Sequence, residues 1–238
     1  MKTRNKKFIY LISPNKIDSC FYSNLKAVLK TKKEAIITNS IATELKIHQF
    51  LNKYDLCPEI LDYDLLNNRT VYEYIEYPVE SSEYNEVFLE IFGKTLSKLH
   101  SLDYRNLVID TFEEKIEGYR NMLSTSNSIE IQESFALFDK LYKKPYKLAF
   151  CHNDLNKMNI FLDKNMKFID WEYTGLNQPI YEIASIKKTF NLSSDQLDIF
   201  LKAYGQDFNP KEIEEFEVLV GFVEKIWQKV TNKLKSNQ

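Results

Sequence analysis

Glycine is scarce in this sequence: five of its 238 residues are glycine, and none falls within the first 92. Phosphate-binding loops of the G-x-G-x-x-G and Walker types need glycine, because a residue without a Cβ lets the backbone approach a phosphate closely. The N-terminal part of the chain therefore holds neither of these loops, nor the glycine-rich loop usual in kinases. Any phosphate chemistry must rest on other residues. The glycines are Gly93, Gly118, Gly175, Gly205 and Gly221.

The sequence also has few cysteines, no long apolar run and little net charge. Cys20, Cys57 and Cys151 stand far apart without a C-x-x-C pair, which excludes a zinc ribbon and favours a reduced, cytoplasmic setting. The apolar run 8–12 is shorter than a signal-peptide core of about 7–15 residues, and no run approaches the ~18 residues of a membrane span. Lys and Arg number 32 against 34 Asp and Glu, so the net charge of −2 favours neither nucleic acid nor membrane as a partner.

Hydrophobic residues make up 44% of the chain and aromatic residues 14%, which is enough for a sizeable core. The pattern predicts a short strand at 7–12, one or two more strands within 20–38, a helix that begins after Asn39 or Ser40, and strands near 60–65 and 70–75. Strands dominate this first part and helices the rest. We therefore expect an α+β fold with two lobes.

The second part is mainly helical, with one short strand and one hairpin. Helices are predicted at 85–100, at 111–142 with a polar linker at 124–128, and at 180–235 with two breaks. A buried strand is predicted at 148–151, and a hairpin joins 160–162 to 166–169. We expect the loop between this strand and the hairpin to carry the chemistry.

That loop contains the pattern H-x-D-x-x-x-x-N, formed by His152, Asp154 and Asn159, and Asp170 follows the hairpin. Phosphoryl transfer needs a carboxylate that orients and deprotonates the acceptor hydroxyl, and oxygen ligands for Mg²⁺. Asp154 fits the first role, and Asn159 and Asp170 fit the second. Because the hairpin folds back, we expect Asp170 to return beside the loop.

These motifs resemble the aminoglycoside phosphotransferase and choline kinase family, the small-molecule branch of the protein-kinase-like fold. His152, Asp154 and Asn159 match its catalytic loop, in which the histidine braces the loop by hydrogen bonds, and Asp170 matches its metal-binding aspartate. Residues 93–100 match its G-x-x-L-x-x-L-H helix. The resemblance extends from about residue 25 to about residue 230. It implies a nucleotide-binding lobe at 1–76 and a catalytic, substrate-binding lobe at 77–238.

The resemblance also implies residues that bind ATP. Residues 71–76 resemble the segment that joins the lobes, where the backbone of Glu73, Tyr74 and Ile75 would bind adenine. The fold requires a strand lysine on the nucleotide phosphates, paired with a helix glutamate. Glu44 is the expected glutamate; Lys30 is the favoured lysine and Lys33 its rival.

The sequence Asp170-Trp171-Glu172-Tyr173 resembles the D-[FW]-E-Y motif of choline and ethanolamine kinases, bacterial choline kinases in particular. Aromatic faces and a carboxylate suit a quaternary ammonium group. Trp171, Glu172 and Tyr173 are therefore expected to bind the substrate, with Trp227 of the last helix as a further wall. Glu182 stands where the family usually has aspartate, and we interpret it as a brace of the loop or an outer partner of Mg²⁺.

The resulting expectation is an enzyme that uses ATP and Mg²⁺ to phosphorylate a small amino alcohol, choline first and ethanolamine next, and that acts as a monomer or homodimer. Two alternatives stay open. The acceptor could be another substrate of the same family: an aminoglycoside, thiamine or a sugar. An aminoglycoside site would favour a cluster of carboxylates, but the acidic residues Glu73, Glu76, Glu80 and Glu83 are distant in sequence from the loop of Asp154, so this alternative ranks below an amino alcohol. The glycine-free N-terminal part could instead mark a degenerate, kinase-like binding module.

Overall fold

The computed structural model describes residues 9–10, 17–22, 25–32, 38–75, 84–126, 128–144, 146–162 and 164–236. The chain divides into two compact units. Unit 1 comprises Met1–Val79 with Met158–Tyr173, and unit 2 comprises Glu80–Lys157 with Thr174–Gln238. The sequence-based division at 76/77 places the whole of 158–173 in the second lobe, whereas the structure groups this segment with the first.

Unit 1 is built on a five-stranded antiparallel sheet in the order β1-β2-β3-β5-β4. Ala27, Leu29 and Val71 form a buried apolar cluster on β3 and β5. A helix, a two-stranded hairpin (β7–β8) and a 3₁₀ turn complete the unit. The elements are β1 Ile9–Tyr10, β2 Ile17–Tyr22, β3 Leu25–Thr31, α1 Ile41–Asn52, β4 Ile60–Asp64, β5 Arg69–Glu73, β7 Ile160–Leu162, β8 Met166–Phe168 and the turn Trp171–Tyr173.

The start of α1 is fixed by Ser40, whose side chain accepts a hydrogen bond from the backbone N–H of Thr43 at 3.2 Å. Serine at this position satisfies a backbone donor that the helix itself leaves unpaired. Of the two predicted caps, Ser40 is the one that forms. The helix buries Leu45, Ile47 and Leu51, and the ring of His48 lies 4.9 Å from that of Tyr72 on β5.

Unit 2 is mainly helical, with one two-stranded antiparallel sheet formed by β6 and β9. Helix α2 packs against α6, and α7 packs against α3, α4 and α5. The elements are α2 Glu86–His100, α3 Phe112–Met122, α4 Ile129–Tyr142, β6 Ala149–Cys151, β9 Gly175–Asn177, α5 Pro179–Phe190, α6 Ser194–Tyr204 and α7 Pro210–Ser236. Among the residues described in both units, no helix combines the length and apolar character that a membrane crossing requires.

Gly93 allows α2 and α6 to approach closely. A Cβ added at this glycine would lie 2.4 Å from the carbonyl oxygen of Phe200 and 2.9 Å from the backbone nitrogen of Tyr204. Both atoms belong to the backbone, so the overlap could be relieved only by moving one helix. Gly118, in the middle of α3, differs because a Cβ there would meet no atom within 4 Å.

This contrast predicts opposite effects for two identical substitutions. Gly93→Ala should lower the free energy of unfolding by about 1–3 kcal/mol, because helix displacement outweighs the better helix propensity of alanine. Gly118→Ala should raise it by about 0.5–1 kcal/mol through that propensity alone. Urea denaturation followed by circular dichroism measures both, and a Gly93→Ala protein as stable as Gly118→Ala would contradict the close approach.

Candidate active-site residues

Strand β3 carries Lys30 on the face opposite the apolar cluster, because successive side chains of a strand alternate between faces. Its Nζ lies 3.3 Å from Oε2 of Glu44 on α1 and 2.5 Å from Oδ1 of Asp170. Burial lowers the pKa of Lys30, but the charges of Glu44 and Asp170 more than offset this, and the pKa lies above its ordinary value. Lys30 is therefore a cation at neutral pH, whereas its rival Lys33 lies outside the described residues.

The β7–β8 hairpin brings Asn159 and Asp170 to the same end of unit 1. Ile160 pairs with Phe168, and the next backbone contact is the N–H of Ile169, which donates to the carbonyl of Asn159 at 3.0 Å. Asn159 is buried, while the Asp170 side chain keeps 29% of its surface exposed. Asp170 has a φ of +66°, a left-handed conformation that costs free energy for a residue with a Cβ, although aspartate adopts it more readily than most.

Trp171 and Glu172 share the 3₁₀ turn after Asp170 but differ in burial. Trp171 is fully buried, and its Nε1–H donates to the carbonyl of Phe168 at 3.1 Å. Its ring has no surface for a ligand, which is a correction to its expected place in the substrate wall: Trp171 belongs to the core of unit 1. The Glu172 carboxylate is partly exposed, and Tyr173 is half-buried.

Glu172 is paired with a lysine that sequence reasoning missed. Lys32 follows β3, and its Nζ contacts Oε1 of Glu44 and lies 3.3 Å from Oε2 of Glu172. One signal in the sequence could have indicated Lys32. It stands two residues after Lys30, and residues at this spacing lie on the same face of an extended chain.

The segment expected to bind adenine lies at the end of β5. Glu73 is the last residue of this strand, and its N–H donates to the carbonyl of Glu59 at 2.9 Å. Its carboxylate accepts a hydrogen bond from the backbone N–H of Glu59, so the Glu73 side chain has a structural role at the end of the strand. Tyr74 lies beneath the ammonium of Lys26, 3.6 Å from the ring centroid, and Ile75 is the last described residue before residue 84.

In unit 2, the loop after β6 is held by Glu182 on α5. The Glu182 carboxylate accepts from the backbone N–H of Asn153 at 2.6 Å and from that of His152 at 3.4 Å. Its Oε2 lies 2.7 Å from Nε2 of His100 at the end of α2. The Nδ1 of His100 in turn lies 2.8 Å from the hydroxyl of Tyr204. The His100 ring is therefore part of the brace of this loop.

Asp154 lies in the turn that this brace supports. Its N–H donates to Nδ1 of the fully buried His152 at 3.3 Å, a hydrogen bond within the loop. The amide of Asn156 donates to a carboxylate oxygen of Asp154 at 3.4 Å. Asn153 has a φ of +66°, so the loop also contains a left-handed residue that is not glycine. The Asp154 side chain is thus positioned while remaining partly exposed.

Trp227 lies on the outer face of α7. It is 36% exposed, whereas Val223, Ile226 and Val230 form the buried stripe of that helix. A tryptophan with this pattern is not a core residue, and its ring has surface available for a ligand.

The chain resembles known proteins in both sequence and fold. Residues 22–216 match the phosphotransferase enzyme family. The chain belongs to this family. A LicA homologue of Metamycoplasma hominis is 28% identical over 192 residues, which cover 74% of this chain and 72% of that protein. LicA of Haemophilus influenzae is 33% identical over 132 residues, 52% of this chain and 49% of that protein.

The fold of this phosphotransferase agrees with a solved structure. The crystal structure of the choline kinase LicA from Streptococcus pneumoniae superposes with a TM-score of 0.78 at 19% identity, and the match covers 96% of this chain and 86% of that one. This confirms the predicted α+β, protein-kinase-like fold, and the family match confirms that the protein is a phosphotransferase enzyme.

The brace of the phosphotransferase loop can be tested through stability. Glu182→Ala should lower the free energy of unfolding by about 3 kcal/mol, because it removes a buried carboxylate that contacts the backbone N–H groups of His152 and Asn153 and the ring of His100. The matched control is Glu214→Ala on the exposed face of α7, for which we expect a change within about 0.5 kcal/mol. Equal urea midpoints for the two variants would show that Glu182 does not hold the loop.

Proposed function

We propose that this phosphotransferase uses ATP and Mg²⁺ to phosphorylate the hydroxyl of a small amino alcohol, choline first and ethanolamine second. The observation that carries the proposal is the contact of Lys30 with both Glu44 and Asp170. A strand lysine paired with a helix glutamate and adjacent to an aspartate is the arrangement that kinases use for nucleotide phosphates and their metal.

The residues present fit a divalent cation. Asn159 and Asp170 lie at one end of the hairpin and offer an amide oxygen and a carboxylate, which are ligands that Mg²⁺ prefers. Around them, the carboxylates of Glu44, Asp170 and Glu172 contact the ammonium groups of Lys30 and Lys32. When bound, the metal would neutralise charge on the transferred phosphoryl group.

The remaining roles belong to side chains of this chain. Asp154 orients the acceptor hydroxyl and takes its proton as the hydroxyl oxygen attacks the γ-phosphorus. The bond from that phosphorus to the β,γ-bridging oxygen breaks, and the electron pair leaves with ADP. Lys30 binds the α- and β-phosphates. His152 keeps the loop in place through its hydrogen bond to the backbone of Asp154.

The choice of acceptor rests on two supports. The Asp170-Trp171-Glu172-Tyr173 sequence resembles that of choline and ethanolamine kinases, and the solved Streptococcus pneumoniae relative is itself a choline kinase. With Trp171 in the core, the groups that we assign to the cationic substrate are Glu172, Tyr173 and Trp227. The backbone of Glu73, Tyr74 and Ile75 is assigned to adenine.

A coupled assay of ADP release tests the proposal. Choline, ethanolamine, thiamine, an aminoglycoside and a sugar are offered separately with MgATP, and we expect ADP release above background with choline, then ethanolamine. Release with an aminoglycoside alone would move the protein to the other branch of its family. Absence of release with every acceptor, together with no thermal stabilisation by millimolar MgATP, would identify a degenerate binding module.

A further inference from the structure

Five charged side chains of unit 1 form one continuous chain of alternating sign. It runs from Asp170 through Lys30, Glu44 and Lys32 to Glu172. Each contact joins an ammonium group to a carboxylate, and the central Glu44 uses one oxygen for each lysine. The usual kinase arrangement needs one lysine at this glutamate, and here there are two.

Burial makes the second lysine significant. The Glu44 side chain is 3% exposed and that of Lys32 6%, against 14% for Lys30. A buried charge is tolerated only while it has a partner, and losing that partner is strongly destabilising. If Lys30 turns toward a nucleotide phosphate, Lys32 still neutralises Glu44 through the other carboxylate oxygen. Helix α1 can therefore keep its glutamate in place whether or not nucleotide is bound.

The far end of the chain of charges reaches the segment that carries Asp170. Besides the Lys32 contact at 3.3 Å, the backbone carbonyl of Glu172 accepts from the N–H of Asn39 at 2.8 Å. The Asn39 side-chain amide donates to the carbonyl of Trp171 at 3.3 Å. A left-handed non-glycine residue such as Asp170 costs about 1–3 kcal/mol and persists only when its surroundings hold it. Lys32 and Asn39 supply contacts that hold this turn.

We propose that Lys32 is a positioning residue for phosphoryl transfer: it fixes the carboxylates of Glu44 and Glu172, so that Lys30 and Asp170 keep the geometry in which they act. This inference rests on the proposed function. A second phosphate-binding cation is the competing role, but Lys32 is the less exposed of the two lysines and its contacts are both to carboxylates.

The test compares Lys32→Met with Lys30→Met, and with Lys46→Met as a matched control on the exposed face of α1. We expect Lys32→Met to lower kcat about tenfold while the KM for ATP changes less than about twofold, because Lys30 still meets the phosphates. Lys32→Arg should restore most of the kcat, since a guanidinium can bind two carboxylates at once. Lys30→Met should lose about 100-fold or more.

A double-mutant cycle separates positioning from general stability. If Lys32 acts through Glu172, then Lys32→Met added to Glu172→Gln should lower kcat by less than about threefold, against about tenfold in the wild-type background. If Lys32→Met fails to fold, Lys32→Gln, which keeps a hydrogen-bond donor, provides the same comparison.

Three outcomes would overturn the inference. The first is a kcat of Lys32→Met equal to that of Lys46→Met. The second is a raised KM of Lys32→Met for ATP at unchanged kcat, which would make Lys32 a nucleotide ligand. The third is a lower unfolding midpoint with unchanged kcat per folded molecule. Failure of the wild-type enzyme to turn over any acceptor would refute the proposed function and this inference together. Normal turnover by the wild-type enzyme and an unchanged kcat in Lys32→Met would refute the inference alone.

Discussion

Replacing Asp154 with alanine should abolish turnover while the enzyme binds MgATP about as tightly as before. Asp154 is the carboxylate to which we assign orientation and deprotonation of the acceptor hydroxyl, a role worth about 10²–10⁴-fold in rate. Its loop should survive the change, because Glu182 holds the backbone at His152 and Asn153 without involving the Asp154 side chain. The measurements are steady-state ADP release with choline and the thermal shift produced by MgATP.

Two further variants make this result interpretable. Asp154→Asn keeps the size of the side chain and removes its charge, so it should be nearly as inactive as Asp154→Ala. Asp198→Ala, at an exposed position on α6, should retain wild-type rates. Turnover by Asp154→Ala within a few-fold of wild type would refute the assigned base and, with it, the proposed reaction at this loop.

Asp170→Asn should produce the second large loss, about 10²–10³-fold in kcat, together with a higher Mg²⁺ concentration for half-maximal rate. The substitution removes a carboxylate that we assign to the metal but changes the side-chain volume little. Lys30 loses its partner at 2.5 Å yet keeps Glu44, so the fold of unit 1 should persist. The measurement is a Mg²⁺ titration of initial rates, with removal of the metal by a chelator as the limiting case.

The control for this experiment is Asp198→Asn, for which both kcat and the Mg²⁺ requirement should match the wild type. An Asp170→Asn enzyme with an unchanged Mg²⁺ requirement would mean that the metal, if the enzyme needs one, is held by other residues. A lower kcat together with a higher Mg²⁺ concentration for half-maximal rate would instead support the assignment.

Features that depend on neighbours in the sequence could be predicted well. Helix α1 begins after Ser40 because a serine precedes an apolar pattern of helical period, and both signals are local. The hairpin of β7 and β8 follows from two apolar runs around a short polar turn. Because this hairpin folds back on itself, Asn159 and Asp170 lie at the same end of it. The H-x-D-x-x-x-x-N motif can be recognised for the same reason, since its spacing lies within one short segment.

What the sequence did not reveal depends on distant contacts. Strand β9 has three residues and pairs with β6, about 25 residues earlier, so no periodic pattern marks it. The segment Asp170-Trp171-Glu172-Tyr173 does not show which aromatic ring is buried, and Trp171 proved to be in the core. Lys32 looks like an ordinary surface lysine until Glu44 and Glu172 are placed on either side of it.

The composition of unit 1 has a consequence for how the protein is made. This unit needs Met158–Tyr173, which the ribosome delivers about 80 residues after Val79. At about 5–20 residues per second, the first 79 residues would wait roughly 5–20 s for the segment that supplies Asp170 and Glu172 to their lysines. During that interval, the backbone carbonyl of Leu56 lacks its donor, the N–H of Phe168, and the side-chain amide of Asn39 lacks its acceptor, the carbonyl of Trp171. Unit 1 thus cannot complete its fold until this segment has been synthesised, although its sheet and α1 precede the segment in the chain.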